Sequence, residues 1–456
     1  MIVVKFGGTS VGDAEAIRRT AEIVRGRLDK APIVVVSALA GTTNALIAIA
    51  EQAARGQLIG AVRNVQSLRE RHLREAEQLL GDTSECAEVS AEMSVLFDEL
   101  ASLAEALSVL ADLTPRSLDA ISAAGERLSS LLVTEAYRKF GLPAEHIDAR
   151  DVMITDDAFT RAEPQADAIA EAGRRLLLPL VREGKVPVLG GYIGSTQTTR
   201  VTTTLGRGGS DYSASLIGAA LHADAIEIWT DVDGMLTADP RVVTDARLIE
   251  RIGFDEAAEL ASFGAKVLHP NTIAPAVVLG IPVVVLNSKR PEGRGTLIAF
   301  EAPRRAVTAI AGKSNVVLIK VRSPRILMAE GFLRTLFGVF EERRTPVSVV
   351  ATSEVSVSLT VDDGAPLEEL VGDLRELGDV SIERGRGIVA IVGAGLSDGG
   401  QAMARALQTI GDVHVHMLSL SATGINLTVV VDGPQVQPMM QRLHATFFGA
   451  TAAAEA

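Results

Sequence analysis

The stretch Ile2-Val3-Val4-Lys5-Phe6-Gly7-Gly8-Thr9-Ser10 opens the chain with an apolar, mostly β-branched run and then a glycine turn, and Asp13 to Leu28 follows at helical spacing. A strand apolar on both faces that runs through a turn into a helix is the building unit of a parallel sheet covered by helices. Similar runs recur at Ile33 to Ser37, Val186 to Gly190, Ala225 to Thr230 and Pro282 to Leu286, with amphipathic stretches between them. Residues 1–300 are therefore predicted to form an α/β domain with a mostly parallel sheet between helices. From Gly60 to Leu113, Leu, Ala, Glu and Arg fall at helical spacing without a strand signal, which predicts a helical excursion from that sheet.

The opening turn brings Lys5 beside backbone N–H groups, an arrangement suited to phosphate. A plain tight turn fits the same residues, because neither GxxxxGK nor GxGxxG spacing is present. A second run, Thr202 to Asp211 (TTTLGRGGSD), combines hydroxyls, glycines, one arginine and one carboxylate. Its glycines let backbone donors approach an anion, and Arg207 offers a planar two-pronged donor. Asp211 either caps the helix predicted from Ala214 to Leu221 or holds Lys5, and the two roles are compatible. Thr230 and Asp231 lie just past a strand, where α/β sheets bind ligands. Read alone, Asp239-Pro240 is a simple turn, Lys266 an ordinary surface lysine, and Glu126 a carboxylate that offsets a helix dipole or accepts an ammonium.

Past Phe300 the segment Glu301-Ala-Pro-Arg-Arg305 breaks the pattern, and two units follow, 315–385 and 386–456. Each reads strand, helix, two strands, helix: a repeat resembling paired ferredoxin-like modules. The strand near 307–311 is a candidate to join the second module.

Lysine and arginine total 44 against 57 acidic residues, a formal charge of −13, which argues against nucleic-acid or anionic-membrane partners. No uncharged apolar run approaches the length of a membrane span. Cys86 is the only cysteine, so no internal disulfide framework is expected, and with no secretory pattern at MIVVKFGG a cytoplasmic location is the expectation. The scattered histidines suggest no metal cage.

Taken together, Lys5 to Ser10, Ser37 to Asn44, Gly125-Glu126, Thr202 to Asp211, Trp229 to Val232 and Gly264 to Pro270 resemble aspartate kinase, in order and spacing over the whole chain. The likeness is to the monofunctional, lysine-sensitive type with two C-terminal ACT domains. It implies the amino acid kinase fold and transfer of the γ-phosphoryl group of MgATP to the β-carboxylate of L-aspartate, the first step of aspartate-family amino-acid synthesis. It also implies ATP and Mg²⁺ as cofactors, the ion held by triphosphate and water, and a homodimer or higher even oligomer. Carried over by position, Lys5 contacts the transferred phosphoryl group and Gly7, Gly8 and Ser10 cradle phosphates. Arg207 clamps the aspartate α-carboxylate, Glu126 accepts its ammonium, Thr43 and Ser210 complete the pocket, and Asp211 orients Lys5. Thr230, Asp231, Leu236, Arg241 and Lys266 line the nucleotide site, with Leu236 where the family carries an aromatic residue. Ile326, Ala329, Phe332, Leu333, Val347, Ser348, Ser353 and Glu354 match effector-binding positions. Ser348 replaces an aspartate and Ala329 a serine of the lysine-sensitive type, so lysine inhibition is expected to be weakened or altered, with threonine the other candidate effector. The rival readings are a glutamate or acetylglutamate kinase and an amino-acid sensor that has lost catalysis.

Overall fold

A computed structural model describes residues 1–263, 270–323 and 331–449 of the chain. They divide into two units: 1–234 with 270–300, and 235–263 with 301–449.

The sheet of the first unit runs, in spatial order, through Ala144–His146, Val186–Gly190, Pro32–Val36, Ile2–Phe6, Ala225–Thr230, Val283–Asn287 and Thr296–Ala299. Its strands are parallel except the last, which pairs antiparallel with Val283–Asn287. In the register, Phe6 lies between Val36 and Trp229, so three strands end together where the glycine turn begins. Val3, Val4, Phe6, Val34, Val36, Val188 and Trp229 are completely buried, as expected of strands covered on both faces. The helix after the turn, Ala14–Arg25, starts where Asp13 accepts the N–H of Ala16 at 2.8 Å. The predicted excursion is a pair of long helices, Leu58–Leu80 and Ser84–Leu110, whose Val65, Leu68, Met93, Phe97 and Leu100 are buried in the same core.

Three features of this unit depart from expectation. Ala144–His146 and Thr296–Ala299 carry no long apolar run, so their strand character comes from pairing. The Thr202–Thr204 portion of the glycine-rich run is itself a strand, paired antiparallel with Ile193–Thr196 in a small side sheet. The helix after that run is Gly209–Leu221 and begins earlier than expected, which puts Ser210 and Asp211 in its first turn.

In the second unit one six-stranded sheet runs Val350–Thr352, Ser356–Asp362, Ala309–Arg322, Asp379–Val392, Asn426–Asp432 and Met417–Leu420. Its two central strands are each 14 residues long, so both modules share them. Ala309–Lys313 pairs with Ile388–Val392 and Leu318–Arg322 with Asp379–Glu383, with an irregular stretch around Val316 between them. The irregularity begins after Lys313 and closes before Leu318, and within it Asn315 takes φ +60°. Separate apolar cores lie on either side of it, one around Ile310, Ile391 and Leu443, the other around Ile319, Leu336 and Leu359. Residues 235–263 group with the C-terminal unit. The buried Glu256 Oε1 accepts the Thr308 hydroxyl at 2.6 Å and the Ala394 N–H at 2.9 Å, and Thr237 Oγ1 lies 2.9 Å from His444 Nε2. Buried polar groups satisfied in this way hold the segment there.

Candidate active site

The site begins with a buried ion pair. Lys5, 7% exposed at the end of its strand, places Nζ 2.6 Å from Asp211 Oδ1. The N-terminal turn of Gly209–Leu221 favours the negative charge on Asp211, and losing either partner would leave the other charge buried alone.

The turn after Lys5 is bonded more tightly into the protein than a phosphate cradle requires. The Gly7 N–H donates to the Trp229 carbonyl at 3.0 Å and the Ser10 N–H to the Gly7 carbonyl at 2.9 Å. Ser10 Oγ lies 2.7 Å from Ser288 Oγ, and the Ser288 N–H donates to the Thr230 carbonyl at 2.8 Å. Gly7 and Ser10 thus brace the ends of neighbouring strands. Gly8 approaches the facing turn so closely that a Cβ there would lie 3.0 Å from the Ala38 carbonyl oxygen.

A cavity of about 680 Å³ brings together Lys5, Gly8, Thr43, Glu126, Arg207, Ser210 and Asp211 with Tyr192 and the turn 37–41. Glu126, on the first turn of Ala124–Lys139, is 3% exposed. Its Oε1 accepts the Ala38 N–H at 3.2 Å, and its Oε2 is buried without a partner among the described residues. Burial pushes its carboxyl up to about 8, against the lowering effect of the Ala38 hydrogen bond. A buried, half-satisfied carboxylate in a cavity is a receptor for a cationic donor. Thr43 lies in the first turn of Thr42–Ala54. Arg71 steadies the turn before it by donating to the Ala40 carbonyl at 2.8 Å and the Gly12 carbonyl at 2.9 Å. Arg207 is exposed between Gly206 at φ +78° and Gly208 at φ +73°, a left-handed path that glycine takes without strain.

The other expected positions are distributed differently. Thr230 and Asp231 end the strand beside Ile2–Phe6, with Thr230 Oγ1 3.3 Å from Asp231 Oδ1. Leu236 and Arg241 belong to the second unit, where Leu236 bridges to Leu248 and Arg241 pairs with Asp239 at 2.6 Å. Lys266, Ile326 and Ala329 lie outside the described residues. Phe332 is buried in a module core, whereas Leu333 is 43% exposed. Val347 packs against the same core, and Ser348, Ser353 and Glu354 are exposed, the Ser353 hydroxyl lying 2.7 Å from that of Ser356.

Sequence reasoning passed over Tyr192, Asp119 and Arg71. The pair Gly190-Gly191 before Tyr192, at the carboxyl end of a buried strand, was the available signal for the first. A lone Asp or Arg on a helix carries no such signal.

A parallel sheet with a paired lysine near a strand end, a buried carboxylate on a facing helix and a glycine-flanked loop arginine, gathered in one cavity, is the arrangement expected of a small-molecule phosphotransferase of the amino acid kinase class. The sequence profile of the Amino acid kinase family matches residues 1–287. The chain is 38% identical to the lysine-sensitive aspartokinase 3 of Escherichia coli (strain K12), covering 98% of this chain and 99% of that protein. The crystal structure of E. coli aspartokinase III with aspartate and ADP (R-state) superposes with TM-score 0.86 at 38% identity, covering 98% of this chain and all of that one. The same enzyme with lysine and aspartate (T-state) gives 0.82 at 38% identity, covering 98% and 99%. The chain belongs to the aspartokinases, a branch of the amino acid kinase family.

Proposed function

We propose that the cavity transfers the γ-phosphoryl group of MgATP to the β-carboxylate of L-aspartate, giving 4-phospho-L-aspartate. The observation that carries this reading is the buried Glu126 in one cavity with the Lys5–Asp211 pair and Arg207. These groups match an acceptor with an ammonium and carboxylates together with a phosphoryl donor. Glu126 Oε2 receives the α-ammonium and Arg207 the α-carboxylate, which leaves the β-carboxylate free to face Lys5. Asp211 holds Lys5 so that its ammonium offsets charge on the group in transfer. Gly8, Thr43 and Ser210 contribute backbone and hydroxyl donors. No general base is needed, because a carboxylate acceptor is already ionised near neutral pH and the reaction depends on positioning and charge neutralisation.

The cavity also suits Mg²⁺. Asp211, Ser210 and Thr43 offer hard oxygen atoms, and among the described residues no group of three or more His, Cys, Asp or Glu gathers into an all-protein cage. Such an ion would be held mainly by triphosphate and water, and it would supply charge neutralisation at the phosphates. For the nucleotide we propose Thr230, Asp231, Leu236, Arg241 and Lys266, with Gly7 and Ser10 bracing the strand ends.

The C-terminal modules are proposed to bind an amino-acid effector across an even oligomer. Ser348 gives a lysine ammonium a neutral partner, which supports weaker lysine inhibition than a carboxylate would provide. No helix among the described residues is long and apolar enough to cross a membrane.

The test is MgATP-dependent acyl phosphate formation, trapped as the hydroxamate, with L-aspartate or L-glutamate, each with and without lysine or threonine. Aspartate-specific product is the expected result. Product with glutamate alone, or with neither acceptor, would overturn the reading.

A further inference from the structure

Asp119 lies in the helix Pro115–Ser122 and is completely buried. Its Oδ2 accepts the Thr160 N–H at 2.9 Å and the Thr204 N–H at 3.0 Å, and its Oδ1 accepts the Thr204 hydroxyl at 2.6 Å. These donors are neutral, and burial raises the carboxyl above its ordinary value while the same hydrogen bonds oppose the rise. A buried acid without a cationic partner is costly to retain, and an apolar core would not need one.

The contacts lead to the cavity wall. Thr204 pairs with Ile193, next to Tyr192, across the two strands of the side sheet, and the Tyr192 side chain comes within reach of Thr204 and of Ser122 on the Asp119 helix. Tyr192 lines the cavity and takes φ +66°, a conformation that bulky residues rarely adopt. Its N–H donates to Ser213 Oγ at 3.0 Å, and its carbonyl accepts the Leu205 N–H at 2.9 Å. The ring lies against the turn bearing Ser210, where a Cβ on Gly209 would meet Tyr192 Cδ2 at 2.6 Å. Thr204 itself is three residues before Arg207. The other arm of Asp119 reaches Thr160, whose carbonyl oxygen would lie 3.2 Å from a Cβ at Gly206.

We infer that Asp119 is a positioning residue for the acceptor amino acid: through Thr204 it orients Tyr192 and anchors the root of the Arg207 loop. The inference rests on the aspartate reading of the cavity. It separates acceptor from nucleotide, because these contacts lead to Tyr192 and to the root of the Arg207 loop and not to the turn after Lys5.

Three variants test it by steady-state kinetics with each substrate varied in turn. Thr204→Val keeps the backbone N–H bond to Asp119 and removes only the hydroxyl link. Tyr192→Phe removes the far end of the chain, and Asp119→Asn reverses its polarity by presenting an NH₂ where Thr204 now donates. Each variant is expected to raise the aspartate KM roughly tenfold. The MgATP KM should stay within about twofold, and the Thr204→Val, Tyr192→Phe double variant should be no worse than either single one, as for groups acting through one chain. An aspartate KM within about twofold of wild type in Thr204→Val and Tyr192→Phe would overturn the inference, as would parallel changes in both KM values with a lowered melting temperature. If Asp119→Asn fails to fold, the other two variants still decide. Wild-type protein without aspartate-dependent turnover would instead sink the functional reading on which the inference rests.

Discussion

In the candidate cavity Lys5 and Glu126 are buried and already paired or aimed, Lys5 on Asp211 and Glu126 with one oxygen on Ala38, and only Arg207 among the principal charges is exposed. In the C-terminal modules the effector-matched Ser348, Ser353 and Glu354 are exposed beside an edge strand. A buried group acts in a low dielectric and costs little reorganisation when its ligand arrives, whereas an exposed group is screened until a ligand or a second subunit covers it. The first region is therefore expected to resist substitution poorly and the second to tolerate it.

The largest break should come from Lys5→Ala. Removing the cation nearest the proposed transfer should lower kcat by about 10³-fold or more, with aspartate binding by calorimetry kept within a few-fold. Glu354→Ala on the exposed side should leave uninhibited kcat unchanged within about twofold. If the two variants lost activity equally, the contrast would fail.

Next is a stability test beneath the cavity. Glu227, 6% exposed, accepts Arg27 Nε at 2.9 Å and the Trp229 indole N–H at 3.0 Å, and the Arg27 guanidinium lies 5.5 Å from the Trp229 ring centroid. Arg27→Ala leaves that carboxylate without its cation and should cost about 3–5 kcal/mol of unfolding free energy, read from the urea midpoint at constant m-value.

A pH series sharpens the comparison further. Glu126 is raised to about 8, so the folded protein favours its neutral form, and that contribution to stability is present at low pH and lost as pH rises through about 8. An arriving ammonium favours the ionised form. Aspartate binding near pH 7 should therefore release a proton, and the aspartate KM should fall as pH rises towards about 8 and then level. Calorimetry in buffers of different ionisation enthalpy reads the proton directly. Glu126→Gln should bind weakly with no such slope below pH 8, and should gain stability relative to wild type above it.

The smallest effect belongs to the regulatory side. Ser348→Asp supplies a carboxylate to a lysine ammonium at an exposed position, worth about 1 kcal/mol, so half-inhibition should need roughly fivefold less lysine. An unchanged inhibition curve would mean that lysine does not meet residue 348.

Legibility followed the same divide between local pattern and long-range contact. Val186–Gly190 and Ala225–Thr230 coincide with strands read from the sequence, because a continuous apolar run suits only burial on both faces. Lys5, Arg207 and Asp211 stood out through the glycines around them. Glu126, with a single glycine before it, reads as an ordinary helical glutamate until burial strips one of its oxygens of partners. The first half of Asp379–Val392 lies outside the elements the sequence predicts and is a strand through its pairing with Leu318–Arg322.

From residue order alone come the α/β class, the two repeated C-terminal modules and the family, since these depend on periodicity, turn chemistry and motif order within short windows. Folding in three dimensions decides that 235–263 packs with the C-terminal unit, that the Gly7 N–H goes to the Trp229 carbonyl and the Ser10 hydroxyl to Ser288, and that Asp119 stands behind Thr204 and Tyr192. Those outcomes depend on which distant groups satisfy one another's buried hydrogen bonds, and no local pattern records that pairing.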